Sequence, residues 1–244
     1  VDKLTASGAE GASDSRLFHA YRAGLAKAPA TASDYANMTW AALRLFAATG
    51  AEPYLERAEQ WTRVLDQHYW DQSGGGYFTS ADDTNDVVVR LKSASDDAVP
   101  SANAIQLSNL TALAALTGDL RYDERARDIA KAFSAAVARG PVGHCGLLAA
   151  ELDLDRLVQV AVSVTNGTAL RGELQQLSIP GALEFIAEAT AGIGPRSPLA
   201  GKTPIEGKST AYVCVGPVCS APIQDASSLK DRLREARSED RVSE

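Results

Sequence analysis

A ten-residue string in this chain returns sixty-eight residues later. TGAEPYLERA at 49–58 corresponds to TGDLRYDERA at 117–126, with six identical positions. Repetition at a fixed spacing is typical of chains built from stacked supersecondary units, which bury their apolar surfaces against one another. The repeat therefore predicts an array of such units.

Each copy of the repeat has the pattern of a helical hairpin. Apolar residues at helical spacing lead to Gly50 in one copy and Gly118 in the other, and each glycine predicts a helix end. A second helix follows, with Pro53 near its start in the first copy. We expect hairpins at about 33–70 and 100–138, packed with others in a ring or solenoid, because one hairpin cannot bury its apolar faces alone.

The regions outside the hairpins predict shorter elements. A short element at 16–25 would place His19 and Arg22 on one face if it is helical. Short strands are expected at 77–78 and 87–89, and a short helix near 146–152.

Beyond Asp155 the pattern changes to alternating strands and helices, which favours a small α/β module with parallel strand pairing. The predicted elements are strands near 157–164, 182–187 and 212–215, and helices near 169–177 and 227–234. The expected organisation is an irregular segment at 1–15, helical hairpins at 16–153, the module at 154–234 and a charged tail at 235–244.

The charge balance limits the partners that this chain would bind. Asp and Glu number 31 against 24 Lys and Arg, a net charge of −7, which argues against nucleic acid or an anionic membrane surface. No apolar run approaches the roughly 20 residues that span a bilayer, and no signal peptide is visible. The first residue is Val1, so we expect a fragment of a longer cytoplasmic protein.

Five motifs in order resemble the helical and C-terminal parts of the YyaL-type thioredoxin-domain proteins, the relatives of spermatogenesis-associated protein 20. The motifs are HAYRAG at 19–24, DYA at 34–36, GGGYF at 74–78 leading to RLK at 90–92, DDAVPSAN at 96–103, and AYVC at 211–214 with Cys219 and Pro222. Asp97 and Ala102 stand where that family usually has glycines.

The resemblance implies a mainly α fold: part of an (α/α)6 toroid of helical hairpins, like that of N-acylglucosamine 2-epimerases and the six-hairpin glycosidases, with a small C-terminal α/β module. Two copies of the repeat would make about a third of such a six-hairpin ring. It also implies a small carbohydrate ligand. We expect no cofactor and no metal. A thioredoxin-like domain would accompany this chain in the full-length protein.

Three residues are candidates for catalysis in such a toroid. His19 fits a base with a pKa near neutrality, although a lone histidine is more often a surface or packed residue. Asp34 would aim a carboxylate into the toroid cavity beside Tyr35, or else cap the first inner helix. Asp96 with the adjacent Asp97 would serve as acid or base, or else belong to a polar loop.

The remaining candidates would bind substrate. Ser101 and Asn103 precede the second inner helix, where the plainer interpretation is that Ser101 caps it. Arg90 and Lys92 would hold a carboxylate or phosphate, or else pair with nearby aspartates. The other candidates are Arg22 beside His19, Tyr35 beside Asp34, and Trp70 and Phe78, which would form an apolar platform for a sugar ring unless they pack in the core.

Cys214 and Cys219 have C-x4-C spacing, whereas a redox pair normally has the tighter C-x-x-C. Zinc would need two more ligands, and none lies nearby in the sequence. A turn with two structural or free thiols is the preferred interpretation, and a regulatory disulfide involving the thioredoxin-like domain is the alternative.

Two hypotheses of different classes follow. The first is a carbohydrate-related domain with sugar epimerase or isomerase activity, in which His19, Asp34, Lys92 and Asp96 meet in one concave pocket. The second is a non-catalytic scaffold or binding domain that serves the thioredoxin-like domain. The two replaced glycines of the 96–103 loop favour the second, because glycine permits close approach of the backbone to a ligand.

Overall fold

Both copies of the repeat fold as helical hairpins in the computed structural model, which describes residues 16–85, 87–165, 169–177, 179–188, 193–216 and 218–238. The first hairpin consists of α1 (Ala32–Thr49) and α2 (Glu52–His68). The second consists of α3 (Ala102–Thr117) and α4 (Leu120–Arg139). The hairpins predicted from the repeat are therefore confirmed.

The helix ends are set by local chemistry. Gly50 and Gly118 adopt left-handed conformations with φ of 68° and 72°, and each donates its N–H to the carbonyl four residues earlier. Thr31 caps α1 in a capping box with Asp34, so Asp34 lies in the first turn and is not itself the cap. Ser101 caps α3 by accepting the Ala104 N–H at 3.2 Å, as predicted.

Helices α1 and α3 pack directly against each other, while α2 and α4 each pack on one of them. Helix α5 (Cys145–Glu151), predicted near 146–152, follows a 3₁₀ turn and packs against α3. This arrangement makes α1 and α3 the inner helices, as in a ring of hairpins. A six-hairpin ring itself stays a prediction, since the structure describes two helical hairpins.

The segment before α1 is a β-hairpin and not a helix. Strand β1 (Phe18–Arg22) pairs antiparallel with β2 (Leu25–Pro29). The prediction that His19 and Arg22 share a helical face is therefore wrong, because residues three apart on a strand point to opposite faces.

The long connection between the two helical hairpins contains less strand than predicted. Trp70 and Tyr77 form a single antiparallel bridge, and residues 87–89 form no strand. Val88 is 98% exposed. A valine run there lacks the neighbouring strand that would satisfy its backbone, so β propensity alone was misleading.

The C-terminal module is a mixed four-stranded sheet with two helices on one face. Its elements are β3 (Val158–Ser163), α6 (Ala169–Leu177), β4 (Leu183–Ala187), β5 (Thr210–Val215), β6 (Val218–Cys219) and α7 (Ala226–Ser238). The strand order is β4-β3-β5-β6, with β3 parallel to β4 and the other pairs antiparallel. Parallel pairing is thus confirmed for one pair only.

The sheet lies between two apolar clusters. One face packs with α6 and α7, through residues such as Val160, Leu174 and Leu229. Residues of the other face, among them Ala161 and Phe185, belong to the core of the helical hairpins. The α/β module is therefore packed onto α1, and the boundary expected at 153–154 stays a prediction.

Two predicted terminal segments lie wholly or partly outside the described residues. The irregular segment 1–15 lies outside them. Helix α7 continues to Ser238, into the predicted tail 235–244, of which residues 239–244 also lie outside. Within the part of the chain that the structure describes, no helix is long and apolar enough to cross a membrane.

Candidate functional site: a cleft on the inner helices

A cleft of about 520 Å³ lies between α1, α3, α5 and the turn that leads into β4. Helix α1 contributes Asn37, Trp40 and Arg44, spaced three and four residues apart on one helix face. Helix α3 contributes Ile105 and Ser108 to the facing wall. The cleft therefore follows the side of the two inner helices that faces away from α2 and α4.

The walls of the cleft are mainly apolar. The apolar lining residues include Leu43, Ala104, Ile105, Ala112, Ala149, Ala150, Leu152, Leu157, Pro180 and Leu183. Trp40, which is 47% exposed, adds an aromatic surface open to solvent. An apolar hollow with a few polar groups is the usual form of a small-molecule site.

Arg44 is the cation of the cleft. Its Nη1 donates to the Ala182 carbonyl at 2.9 Å, and its guanidinium lies 5.6 Å from the centre of the Trp40 ring. Burial lowers the pKa of Arg44, and the negative charges of Glu184 and Asp153 act against that shift. Since an arginine pKa starts at about 12.5, the guanidinium stays charged and keeps further N–H donors for a ligand.

Asp153 is the carboxylate of the cleft. It lies against Gly181, where a side chain would collide with the carboxylate oxygens. Arg44 bonds to the 180–183 turn that lines one end of the cleft, and Asp153 lies against the same turn. Together they offer charged acceptors and donors on a mainly apolar surface.

Two of the three predicted catalytic residues are in contact. His19 Nδ1 and Asp34 Oδ2 are 2.8 Å apart. Asp34 Oδ2 also accepts the Thr31 N–H at 2.7 Å and the Thr31 hydroxyl at 2.8 Å, as part of the capping box. The His19 side chain is 56% exposed. The pair thus has the arrangement of a histidine oriented by a carboxylate, at the start of α1 and beside the cleft residues of that helix.

Asp96, the third predicted catalytic residue, connects two helix starts. Its oxygens accept the Ser101 N–H at 3.0 Å and the Gly146 N–H at 2.6 Å. Gly146 lines the cleft, whereas Asp96 does not. The described contacts therefore make Asp96 a brace between the α3 and α5 ends.

Lys92 and Asn103 form hydrogen bonds with the glycine-rich turn that follows α2. Lys92 Nζ donates to Asp71 Oδ2 at 2.5 Å and to the Gly75 carbonyl at 2.6 Å. Asn103 is buried and exchanges two hydrogen bonds with the Tyr77 backbone, at 2.7 and 3.0 Å. Neither side chain lines the cleft.

The aromatic candidates and their neighbours also have partners within the fold. Tyr35 is fully buried and accepts the Leu17 N–H at 2.9 Å. Trp70 is buried under the Arg125 guanidinium, 4.0 Å from its ring centre. Arg90 lies over the Phe78 ring at 4.2 Å. Arg22 is exposed on β1.

None of the eleven sequence-predicted site residues lines the cleft. Their catalytic and binding roles stay predictions. The cleft instead uses Asn37, Trp40 and Arg44, which sequence reasoning missed. A tryptophan and an arginine at helical spacing on an inner helix, outside its apolar stripe, were the available signal.

A histidine and two aspartates approach one another near the end of α2. Ligand atoms of His68, Asp82 and Asp83 all lie within 4.8 Å of one another. Both Asp83 oxygens, however, accept from Arg16, at 2.8 and 3.0 Å. The guanidinium occupies the place and supplies the positive charge that a cation would bring, so this cluster is explained as an ion pair.

The fold and the cleft define a class: a domain of helical hairpins joined to a small α/β module, with a small-molecule-sized cleft on its inner helices. No protein-family model matches the chain. The chain is similar to spermatogenesis-associated protein 20 of Rattus norvegicus, with 29% identity over 215 residues. Identity to the Homo sapiens protein of that name is 30% over 213 residues, and to the Mus musculus protein 28% over 215.

These similarities support a relationship to the spermatogenesis-associated protein 20 family. The matches cover 82–83% of this chain and 27% of each relative. The chain thus spans about a quarter of the length of the curated relatives it matches.

Proposed function

We propose that this chain is a carbohydrate-related domain that binds a small hydroxylated ligand in the cleft between α1 and α3. One observation carries the proposal: an exposed Trp40 stands beside Arg44 and Asp153 on a mainly apolar surface. The apolar C–H faces of a sugar ring stack on an aromatic surface, and its hydroxyl groups bond to guanidinium donors and carboxylate acceptors. The resemblance to (α/α)6 sugar-acting proteins supports the same class of ligand.

The test is ligand-induced stabilisation with a panel of mono- and disaccharides at millimolar concentration. A ligand at a hundred times its Kd raises the free energy of unfolding by about 2.7 kcal/mol, which thermal denaturation detects. We expect Trp40→Ala to weaken binding at least tenfold. Tyr54→Ala, an exposed aromatic on α2 outside the cleft, is the matched control and should leave binding unchanged.

Failure of the panel would favour the alternative function. If no sugar stabilises the protein, the domain is better explained as a non-catalytic scaffold accompanying a thioredoxin-like domain of the full-length chain. Both proposals place the protein in the cytoplasm, without a nucleic-acid or membrane partner.

A sugar epimerase or isomerase activity is the second candidate, favoured by the 2.8 Å contact between His19 and Asp34. In such a reaction the sugar would extend from the cleft to the start of α1. There His19 would remove a proton from one of its carbons, while Asp34 would orient the imidazole and stabilise its protonated form. Asp96 would act only indirectly, by holding the α3 and α5 ends.

Exchange of sugar C–H hydrogens in heavy water, followed by NMR, tests this activity. General-base catalysis is worth about 10²–10⁴ in rate, so His19→Gln should reduce exchange by at least a hundredfold. His68→Gln is the control, because His68 contacts Asp82 near the end of α2 and not Asp34 at the start of α1, so it should leave exchange unchanged. Equal exchange in both variants would contradict a catalytic role for His19.

A further inference from the structure

The two cysteines of the module form a disulfide at an edge of the sheet. Cys214 of β5 and Cys219 of β6 are directly opposite in the antiparallel register and are bonded to each other. The expected reversal of the chain between the two cysteines agrees with the antiparallel β5–β6 pairing, but the expectation of unbonded thiols is wrong, since this pairing brings the two sulfurs together. Cys145, on α5, is a free and exposed thiol.

The sheet does not depend on this bond for its pairing. Strand β5 pairs with β3 over six residue positions, and its Ala211 and Val213 are fully buried in the apolar cluster under α7. Next to the disulfide, Ser220 N–H donates to the Val213 carbonyl at 2.8 Å and Ser220 Oγ accepts the Val213 N–H at 3.1 Å. A disulfide stabilises chiefly by closing long loops, and this one joins residues only five apart.

The two cysteine residues differ in exposure. Cys214 is 5% exposed, whereas both residues of β6 are exposed. Strand β6 is an edge strand that pairs only with β5 in the described sheet. A thiolate from solvent can therefore approach Cys219 much more readily than Cys214, and access is one of the factors that set the rate of thiol–disulfide exchange.

We propose that Cys214–Cys219 is a reversible redox site, opened by an external dithiol that attacks Cys219 while the module stays folded. A thiolate of the dithiol bonds to Cys219 Sγ, the Cys214–Cys219 bond breaks, and Cys214 leaves as a thiolate that takes up a proton. The second thiol of the reductant then attacks the reductant sulfur that is bonded to Cys219. This closes the disulfide of the reductant and releases Cys219 as a thiol. The reductant is oxidised to a disulfide, and two electrons and two protons pass to the protein cysteines.

The geometry favours a dithiol over a monothiol. In the mixed disulfide, Cys214 remains opposite Cys219, because β5 is held by β3 and by the bonds between Ser220 and Val213. Cys214 would expel a monothiol and restore the original bond. A dithiol can complete the reduction before this reversal, because its second thiol is also intramolecular.

Alkylation of free thiols by a maleimide, read as a gel shift, tests the proposal in the Cys145→Ser background. Under native conditions dithiothreitol should expose two thiols per chain while the far-UV circular dichroism stays unchanged. At equal total thiol concentration, 2-mercaptoethanol should reduce at least tenfold less protein at equilibrium. Resistance to dithiothreitol until denaturant is added, loss of the dichroism on reduction, or equal reduction by both reagents would overturn the proposal.

Single variants test the direction of attack in the same background. Cys214→Ser leaves Cys219 as the free thiol, and Cys219→Ser leaves Cys214. We expect the Cys214→Ser protein to react with oxidised glutathione at least tenfold faster, because its remaining thiol is exposed. Equal or reversed rates would contradict attack at Cys219.

Discussion

At the residue scale, Lys92 was predicted to bind a ligand, but it bonds to Asp71 in the glycine-rich turn after α2. Asp71 Oδ1 accepts from the Ser73 N–H at 2.9 Å, the Ser73 hydroxyl at 2.7 Å and the Gly74 N–H at 3.1 Å. Asp71 Oδ2 accepts from Lys92 at 2.5 Å. The Lys92 contact and the Ser73 bonds hold the pKa of Asp71 well below its usual range.

We predict that Asp71→Asn lowers the free energy of unfolding at pH 7 by about 1 kcal/mol, a figure reduced by the pair's nearness to solvent. Because the folded pKa is depressed, the stabilisation is present above the unfolded pKa of about 3.9 and is lost as pH falls towards the folded value. The difference from the unsubstituted protein should therefore shrink between pH 5 and pH 2 in urea denaturation.

The exposed Glu56 on α2 provides the control for that measurement. Glu56→Gln should leave stability unchanged at pH 7, where both side chains remain solvated. A loss in Asp71→Asn that stays constant down to pH 2 would contradict the assigned role of the carboxylate charge.

The sequence showed which positions in and near this turn are polar, but not which residues their side chains bond to. Lys92 contacts Asp71, twenty-one residues earlier, whereas the nearby aspartates Asp82 and Asp83 bond to His68 and Arg16. The choice depends on how the turn closes over the second half of α4, where Phe133 lies beside Gly76.

At the element scale, the first helix of each repeat copy ends at a glycine, but the two glycines have different neighbours. A Cβ at Gly118 would meet nothing within 4 Å. A Cβ at Gly50 would lie 3.3 Å from Ile193 Cγ1, because the module packs over that end of α1. The two positions therefore have the same backbone and different neighbours.

We predict that Gly118→Ala lowers the free energy of unfolding by about 1–2 kcal/mol, the cost of a left-handed conformation for a residue with a Cβ. Gly50→Ala should cost more, because it adds the close contact with Ile193. Urea denaturation of the two single variants measures both values. Equal losses would show that the module leaves room at Gly50.

The helices were predictable because their signals are local. Apolar spacing, the glycine stops and Ser101 act within a few residues, and the observed helices follow them. The β1–β2 hairpin was missed because a strand requires a partner, here Leu25–Pro29, that the sequence pattern did not reveal.

At the scale of the whole molecule, Arg196 joins the module to the first helical hairpin. Its Nε donates to Glu52 at 2.6 Å, its backbone N–H donates to the same carboxylate at 2.8 Å, and its Nη1 donates to Glu59 at 2.9 Å. Near this contact Gly194 N–H bonds to the Gly50 carbonyl at 3.0 Å. This junction adds polar contacts to the apolar packing of Phe185 on α1, and both orient the module and one wall of the cleft.

We predict that Arg196→Met lowers the free energy of unfolding by about 1–2 kcal/mol, because it leaves two partly buried carboxylates without their cation. It should also separate the unfolding of the module from that of the hairpins, seen as two transitions in calorimetry. Arg121→Gln removes a largely exposed ion pair with Asp119 and should change neither property. One unaltered transition in Arg196→Met would contradict the proposed coupling.

The sequence by itself determined the helical hairpins, their glycine ends and the Ser101 cap, because these depend on contacts within one or two turns. It also located most elements of the α/β module, but not their pairing. The tertiary structure decided where the cleft lies, which strands pair, and that Cys214 and Cys219 are bonded. Arg44 reaches the Ala182 carbonyl across 138 residues of chain. Such contacts depend on how whole elements pack, and no local pattern encodes that packing.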